Sequence, residues 1–226
     1  MNCISAFAQF FRRWTLPVVA GLVAACGIPA SESADRAGTR EYSLHYTLAP
    51  DPRTSTVQVS LRLRQPFDLV REISFPVNSD ISDVGGDGDL RIRNGRVQWV
   101  PPSDGGTLDW RVVVHNPRGK DTFDALLNAQ WGQFRAEDVI PRARSRTLKG
   151  ALSRTTIAFD LPAGWSVITE YSARDRPIVV DRKDRRYDEP AGWIAMGDLG
   201  IRRERIAGTR VAIAAPQGHE VRRMDM

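Results

Sequence analysis

From Glu41 onward the chain alternates apolar and polar residues with a period of two. "EYSLHYTLA" (41–49) and "TVQVSLRLRQ" (56–65) place Leu, Val or Tyr at every second position. "PDPRTS" between them has turn chemistry, so the pair predicts a hairpin with one buried face. "REISFPVN" (71–78) continues the pattern, and "DLRIRNGRVQWV" (89–100) sets Asn94-Gly95 between two alternating runs. Asn-Gly supplies the positive φ of a type I′ turn and predicts a second hairpin. "GTLDWRVVVHN", "TTIAFDL", "WSVITEY", "PIVVDR", "GWIAMGDL", "RRERIAG" and "TRVAIAAP" follow at the spacing of a sheet protein. Ten or more short strands punctuated by Gly and Pro, with almost no helical period, predict an all-β fold, an antiparallel β-sandwich. One segment breaks the rhythm. "DTFDALLNAQWGQFRAEDVIP" (121–141) spaces Phe123, Leu126, Leu127, Trp131 and Phe134 as a short helix or an irregular crossover would. A boundary near residue 140 would split two sheets, but Trp and Phe on both sides favour a shared core.

The first forty residues have a different pattern. "MNCISAFAQFFRR" contains no acid, and the apolar run "WTLPVVAGLVAA" stops at Cys26. That run is short for a bilayer span and has the length of a signal-peptide core. Val23-Ala24-Ala25 before Cys26 match the small residues that a lipoprotein signal peptidase reads, which makes Cys26 the expected lipidation site. Residues 1–25 are then a lipoprotein signal peptide, and 26–40, small and polar, a flexible tether. Gly27 in place of Asp favours the outer membrane, on the periplasmic side of a bacterial envelope. Arg12-Arg13 lack the flanking pattern of a twin-arginine signal. Cys3 leaves with the signal, so a framework of disulfides is excluded and the core must supply stability.

Charge adds little. The chain carries 32 basic and 27 acidic residues, a net +5, and Arg12 and Arg13 belong to the leader. Only Lys120, Lys149 and Lys183 are lysines, and the arginines are scattered among acids. A nucleic-acid binder clusters its basic residues on a face or stripe, so no nucleic-acid partner is expected.

Candidate chemistry is sparse. Asp83, Asp87 and Asp89 in "DVGGDGDL" are spaced like calcium ligands, but the position that should hold a bidentate Glu is Asn94. They read better as turn residues. His45, His115 and His219 are the only histidines and lack a close partner, so they read as surface or half-buried residues. No Gly-x-Ser-x-Gly elbow, P-loop or dinucleotide fingerprint occurs. His219-Glu220 begins like His-Glu-x-x-His, but Arg223 stands where the second histidine belongs. A zinc helix needs both histidines four residues apart and a third ligand, so no metal, no cofactor and no catalytic residue is expected here. Trp165 and Trp193 each follow Pro-Ala-Gly and precede an apolar run. Both are expected as buried plugs of the sandwich.

Together, "YSLHYTLAPDPRTSTVQVSLRL", "AEDVIPRARSRTLKG", "TTIAFDLPAGWSVITEY" and "GDLGIRRERIAGTRVAIAAP" resemble the amino-terminal, non-catalytic β domain of the glycyl aminopeptidase-type metallopeptidases, metallopeptidase family 61. The resemblance spans roughly residues 41–218 and implies that 219–226 is a truncated connecting segment. In that family a separate helical domain holds the zinc motif. The resemblance therefore implies a membrane-tethered, non-enzymatic β domain of a truncated or split peptidase homologue. Its role would be that of a scaffold for a catalytic domain, or of a domain binding a peptide or partner. The competing expectation is a stand-alone periplasmic lipoprotein that binds a ligand through the same fold. A downstream reading frame encoding His-Glu-x-x-His would favour the first.

Overall fold

In the computed structural model the described residues are 40–119, 122–171, 177–180 and 187–217. The expected signal peptide, Cys26, and His219-Glu220 lie outside them. No helix among the described residues is long and apolar enough to cross a membrane.

In chain order the elements are β1 (Glu41–Asp51), β2 (Thr56–Arg64), β3 (Val70–Pro76), β4 (Ile81–Gly86), β5 (Asp89–Arg93), β6 (Arg96–Val100), β7 (Gly105–Val113), β8 (His115–Pro117) and β9 (Phe123–Leu127). They continue with β10 (Trp131–Arg135), α1 (Ala136–Val139), β11 (Arg144–Thr147), β12 (Leu152–Phe159), β13 (Ser166–Thr169), β14 (Ile178–Val180), β15 (Trp193–Gly197), β16 (Leu199–Ile206) and β17 (Thr209–Pro216). Among the described residues these form four sheets, ordered β14-β12-β1-β2-β7-β4, β13-β15-β10-β9-β8, β11-β3-β6-β5 and β16-β17. The all-β expectation is met, with multiple antiparallel sheets. One pair departs from the antiparallel rule: β1 and β12 run parallel, from Glu41 opposite Leu152 to Leu48 opposite Phe159.

The hairpins form where the turn residues demand them. Asn94 and Gly95 have φ of 50° and 67° between Arg93 and its partner Arg96, which is the type I′ geometry. Between β1 and β2 the Asp51 carboxylate accepts a hydrogen bond from the Arg53 amide at 3.0 Å, which bends the chain into its turn. At β16–β17, Ala207 and Gly208 have φ of 48° and 83°, the same two-residue solution with alanine in a position that favours glycine or asparagine.

Strand alternation turns into a core. Tyr42, Leu44, Tyr46 and Leu48 on β1 face inward beside Val57, Val59, Leu61 and Leu63 on β2, all nearly inaccessible. Each such side chain contributes about 1.5–3 kcal/mol on leaving water. The second layer meets them through aromatics: Phe75 of β3 packs on Trp110 of β7 with ring centroids 5.2 Å apart. The Trp110 indole donates to the Val139 carbonyl at 2.8 Å, so burial leaves no unpaired donor.

The segment expected as a helix or crossover is mostly sheet. β9 and β10 form a hairpin, and only the four residues of α1 are helical. The Asn128 side-chain oxygen accepts from the Gln130 and Trp131 amides at 2.9 and 3.0 Å, folding the chain back after Leu127. Pairing of β10 with β15 over five positions then fixes it as strand. Spacing compatible with a helix lost to long-range pairing. The shared core expected across residue 140 is present, because β12 lies beside β1.

Candidate functional site

Alternation that buries one face of the six-stranded sheet displays the other. Ser43 and His45 on β1 and Arg62 and Arg64 on β2 occupy that outer face, since their strand neighbours Leu44, Leu61 and Leu63 are buried. Parallel pairing brings in Arg154 of β12 opposite Ser43, and β2–β7 pairing adds Gly105 opposite Arg64. Ser43, Arg62, Arg64, Gly105 and Arg154 line an open cleft of about 810 Å³ at the end of the sheet.

Two features hold this end of the sheet in shape. Buried Gln65 accepts from the Val70 amide at 2.7 Å and donates to the Val70 and Pro102 carbonyls at 3.3 and 3.1 Å. One amide side chain thereby ties the end of β2 to the start of β3 and to the turn before β7. Gly105 sits at φ 113°, and a Cβ there would stand 2.1 Å from the Leu63 carbonyl oxygen. Only glycine permits this close approach of β7 to β2.

His45 lies at the centre of the outer face, opposite Arg62 on one side and Thr156 on the other. Its Nδ1 is 2.8 Å from the Thr156 hydroxyl. Partial burial holds its pKa below the usual histidine value, and Arg62 and Arg64 add charge repulsion. The unfolded chain therefore takes up this proton before the folded chain does. The stability that follows is complete above about pH 6.5 and declines as pH falls from there through the lowered folded-state value. NMR titration of the His45 ring should give a midpoint below about 6.5 that moves up in R62Q/R64Q; a midpoint at or above 6.5 would refute this electrostatic picture.

The structure separates the residues whose spacing suggested a metal. Asp83, at φ 52° in a bulged stretch of β4, pairs with Arg111 at 3.0 Å. Asp87 accepts from the Thr107 amide at 2.8 Å, and Asp89 pairs with Arg91 at 2.7 Å. Asp83 and Asp87 thus tie to β7, while Asp89 is engaged within β5. His115 is exposed on β8, in a different sheet from His45. Among the described residues no three His, Cys, Asp or Glu side chains are grouped to hold a metal. They do not fit the zinc of a metallopeptidase, and no step through zinc follows from them.

The tryptophan expectation needs correction. Trp193 is 46% exposed, because β15 buries Ile194 and Met196 and alternation turns Trp193 outward. The Arg135 guanidinium lies 5.0 Å from its ring centre, directly across the β10–β15 pair. Trp165 is half-buried in the turn before β13 and packs against the rim of the core. It also lines a 310 Å³ pocket with Gln130, Gly164, Asp198 and Gln217. The plugs are Trp99 and Trp110 instead.

The arginine-bearing face was missed in the sequence, although "SLRLR" carries its signal. With Leu61 and Leu63 inside, Arg62 and Arg64 must share the outer face. The third arginine, Arg154, could not be placed without the β1–β12 pairing.

No protein-family model matches the chain, and no curated protein matches it in sequence. Among solved structures it is similar to an aminopeptidase N family protein from Idiomarina loihiensis, with a TM-score of 0.50 and 14% identity, over 78% of this chain and 33% of that one. It also matches yeast LTA4 hydrolase in complex with bestatin (TM-score 0.35, 18% identity, 71% of this chain and 29% of that one). A third match is Legionella pneumophila aminopeptidase A in complex with aspartic acid (0.39, 8%, 76% and 24%). None of the three is described as a glycyl aminopeptidase. The chain spans about one third of the length of the Idiomarina protein, and what it shares with that protein is the fold.

Proposed function

We propose that this chain is a non-catalytic β domain of the metallo-aminopeptidase kind, tethered to a bacterial envelope membrane through Cys26, with the outer membrane favoured. Its role is that of a scaffold or recognition domain for a peptide or protein partner. The observation that carries the reading is the fold likeness to an aminopeptidase N family protein, confined to a third of that protein's length. The narrower kinship, to the β domain of glycyl aminopeptidase-type enzymes, rests on the strand and Pro-Ala-Gly-Trp pattern of the sequence. The tether rests on "LVAAC" after an apolar run. Acyl chains add about 0.8 kcal/mol per buried CH₂, so a multiply acylated Cys26 holds the chain firmly on a membrane.

Two measurements test the halves of this reading. Cys26→Ala should lose labelled palmitate and leave the membrane fraction; parental behaviour of the mutant overturns the tether. The purified protein, supplied with zinc, should hydrolyse no aminoacyl or peptide substrate. One tightly bound zinc per chain, removed together with a hydrolytic activity by a chelator, overturns the non-catalytic reading.

A further inference from the structure

Across the outer face of the six-stranded sheet the paired positions form rows. One row reads Arg154, Ser43, Arg64 and Gly105; the next reads Thr156, His45, Arg62 and Thr107. Neighbours within a row have Cβ atoms about 4.5–5.5 Å apart, so three guanidinium groups share one patch. Arg154 is partly neutralised by Glu41, 3.8 Å away and exposed. Arg62 and Arg64 make no ion pair or side-chain hydrogen bond among the described residues. Three acids also line the cleft: Glu41 is engaged by Arg154, Asp87 accepts from the Thr107 amide, and Asp104 stands beside Gly105; Asp109 lies one row further on. Small residues at Ser43, Gly105, Gly106 and Thr107 keep the floor low, and the 810 Å³ cleft falls within the roughly 300–1,000 Å³ of ligand sites.

We propose that this cleft binds an extended acidic peptide segment whose alternate carboxylates pair with Arg64 and Arg62. Side chains two apart on a strand repeat every 6.5–7 Å or so, which is also the repeat of alternate side chains in an extended peptide lying along β2. The planar guanidinium fork matches a carboxylate with two parallel hydrogen bonds, and an arginine pair at this spacing reads two of them in register. Ser43 and Thr107 add hydroxyls beside the track. This assignment names the ligand chemistry of the recognition role proposed above and rests on that reading.

The test is fluorescence polarisation with the purified full chain and a dye-labelled peptide that alternates Glu and Ser, against the same peptide with Gln for Glu. At low ionic strength the Glu peptide should bind about tenfold or more tightly than the Gln peptide, an advantage that shrinks as salt rises. R62Q/R64Q should abolish the advantage, and R62K/R64K should keep only part of it, because lysine retains charge without the fork. Both arginines are exposed, and circular dichroism checks that the variants fold. Equal binding of the two peptides overturns the proposal, as does an unchanged preference in R62Q/R64Q. Displacement by inorganic phosphate at lower concentration than by the Glu peptide overturns it in favour of a phosphate ligand. Each of these failures leaves the non-catalytic reading standing, since that reading falls only on chelator-sensitive hydrolysis.

Discussion

Trp110→Ala should lower the unfolding free energy by about 3–5 kcal/mol, against a whole-domain stability of roughly 5–15 kcal/mol. Trp110 is 2% exposed, packs against the tilted Phe75 ring at 5.2 Å and donates its indole proton to the Val139 carbonyl. Truncation removes its apolar area, leaves a cavity between two sheets and strands a buried carbonyl. Trp193→Ala is the contrast. It removes a half-exposed ring and one cation–π contact with Arg135, worth about 0.5–1 kcal/mol at an exposed site. Urea unfolding of the two variants beside the parent measures both. A near-parental midpoint for Trp110→Ala, or a collapse of Trp193→Ala, would invert the assignment of core and surface.

The second large effect is expected at a glycine. Gly105→Ala meets two obstacles together. The φ of 113° lies outside the region that side-chain-bearing residues adopt, and the new Cβ would stand 2.1 Å from the Leu63 carbonyl and 2.8 Å from its carbonyl carbon. Backbone atoms do not rotate out of the way as a flexible side chain does, so β2 and β7 must separate at this end. The expected loss is roughly 2–5 kcal/mol, combining left-handed strain with overpacking. Gly164→Ala isolates the strain, because its φ is 82° and no atom lies within 4 Å of the added carbon. That variant should lose only about 1–2 kcal/mol. Equal midpoints for the two would show that the close approach of β7 to β2 contributes nothing. Since Gly105 also floors the arginine cleft, its substitution should disturb the cleft and the fold together.

Much of the architecture was legible in local sequence, for stated reasons. Period-two alternation in "EYSLHYTLA" and "TVQVSLRLRQ" fixed which side chains enter the core, because a strand turns alternate residues to opposite faces. Asn94-Gly95 located its hairpin through the positive φ that both residues tolerate. The turn reading holds for Asp87, in the bend between β4 and β5, whereas Asp83 and Asp89 lie within those strands. Local pattern failed where the partner strand decides. "DTFDALLNAQWGQFRAEDVIP" has a spacing that suits a helix, and only the β10–β15 pairing makes it sheet. Trp193 looked like a plug from its place after Pro-Ala-Gly and before an apolar run, yet the phase of β15 is set by Ile194 and Met196, and one residue of phase exchanges core for surface.

The candidate site divides in the same way. By itself the sequence determined that Arg62 and Arg64 lie on one face, because two buried leucines alternate with them. It also determined an apolar run that stops at Cys26, and an arginine at 223 where His-Glu-x-x-His would place its second histidine. Tertiary structure alone decided that Arg154, ninety residues from Arg64 in the chain, joins them through the parallel β1–β12 pair. It alone placed His45 between Arg62 and Thr156, and required glycine at 105 where two backbones nearly touch. The reason is physical: alternation is a property of one strand, whereas a cleft is made by several, and their registers are chosen by the core they bury together.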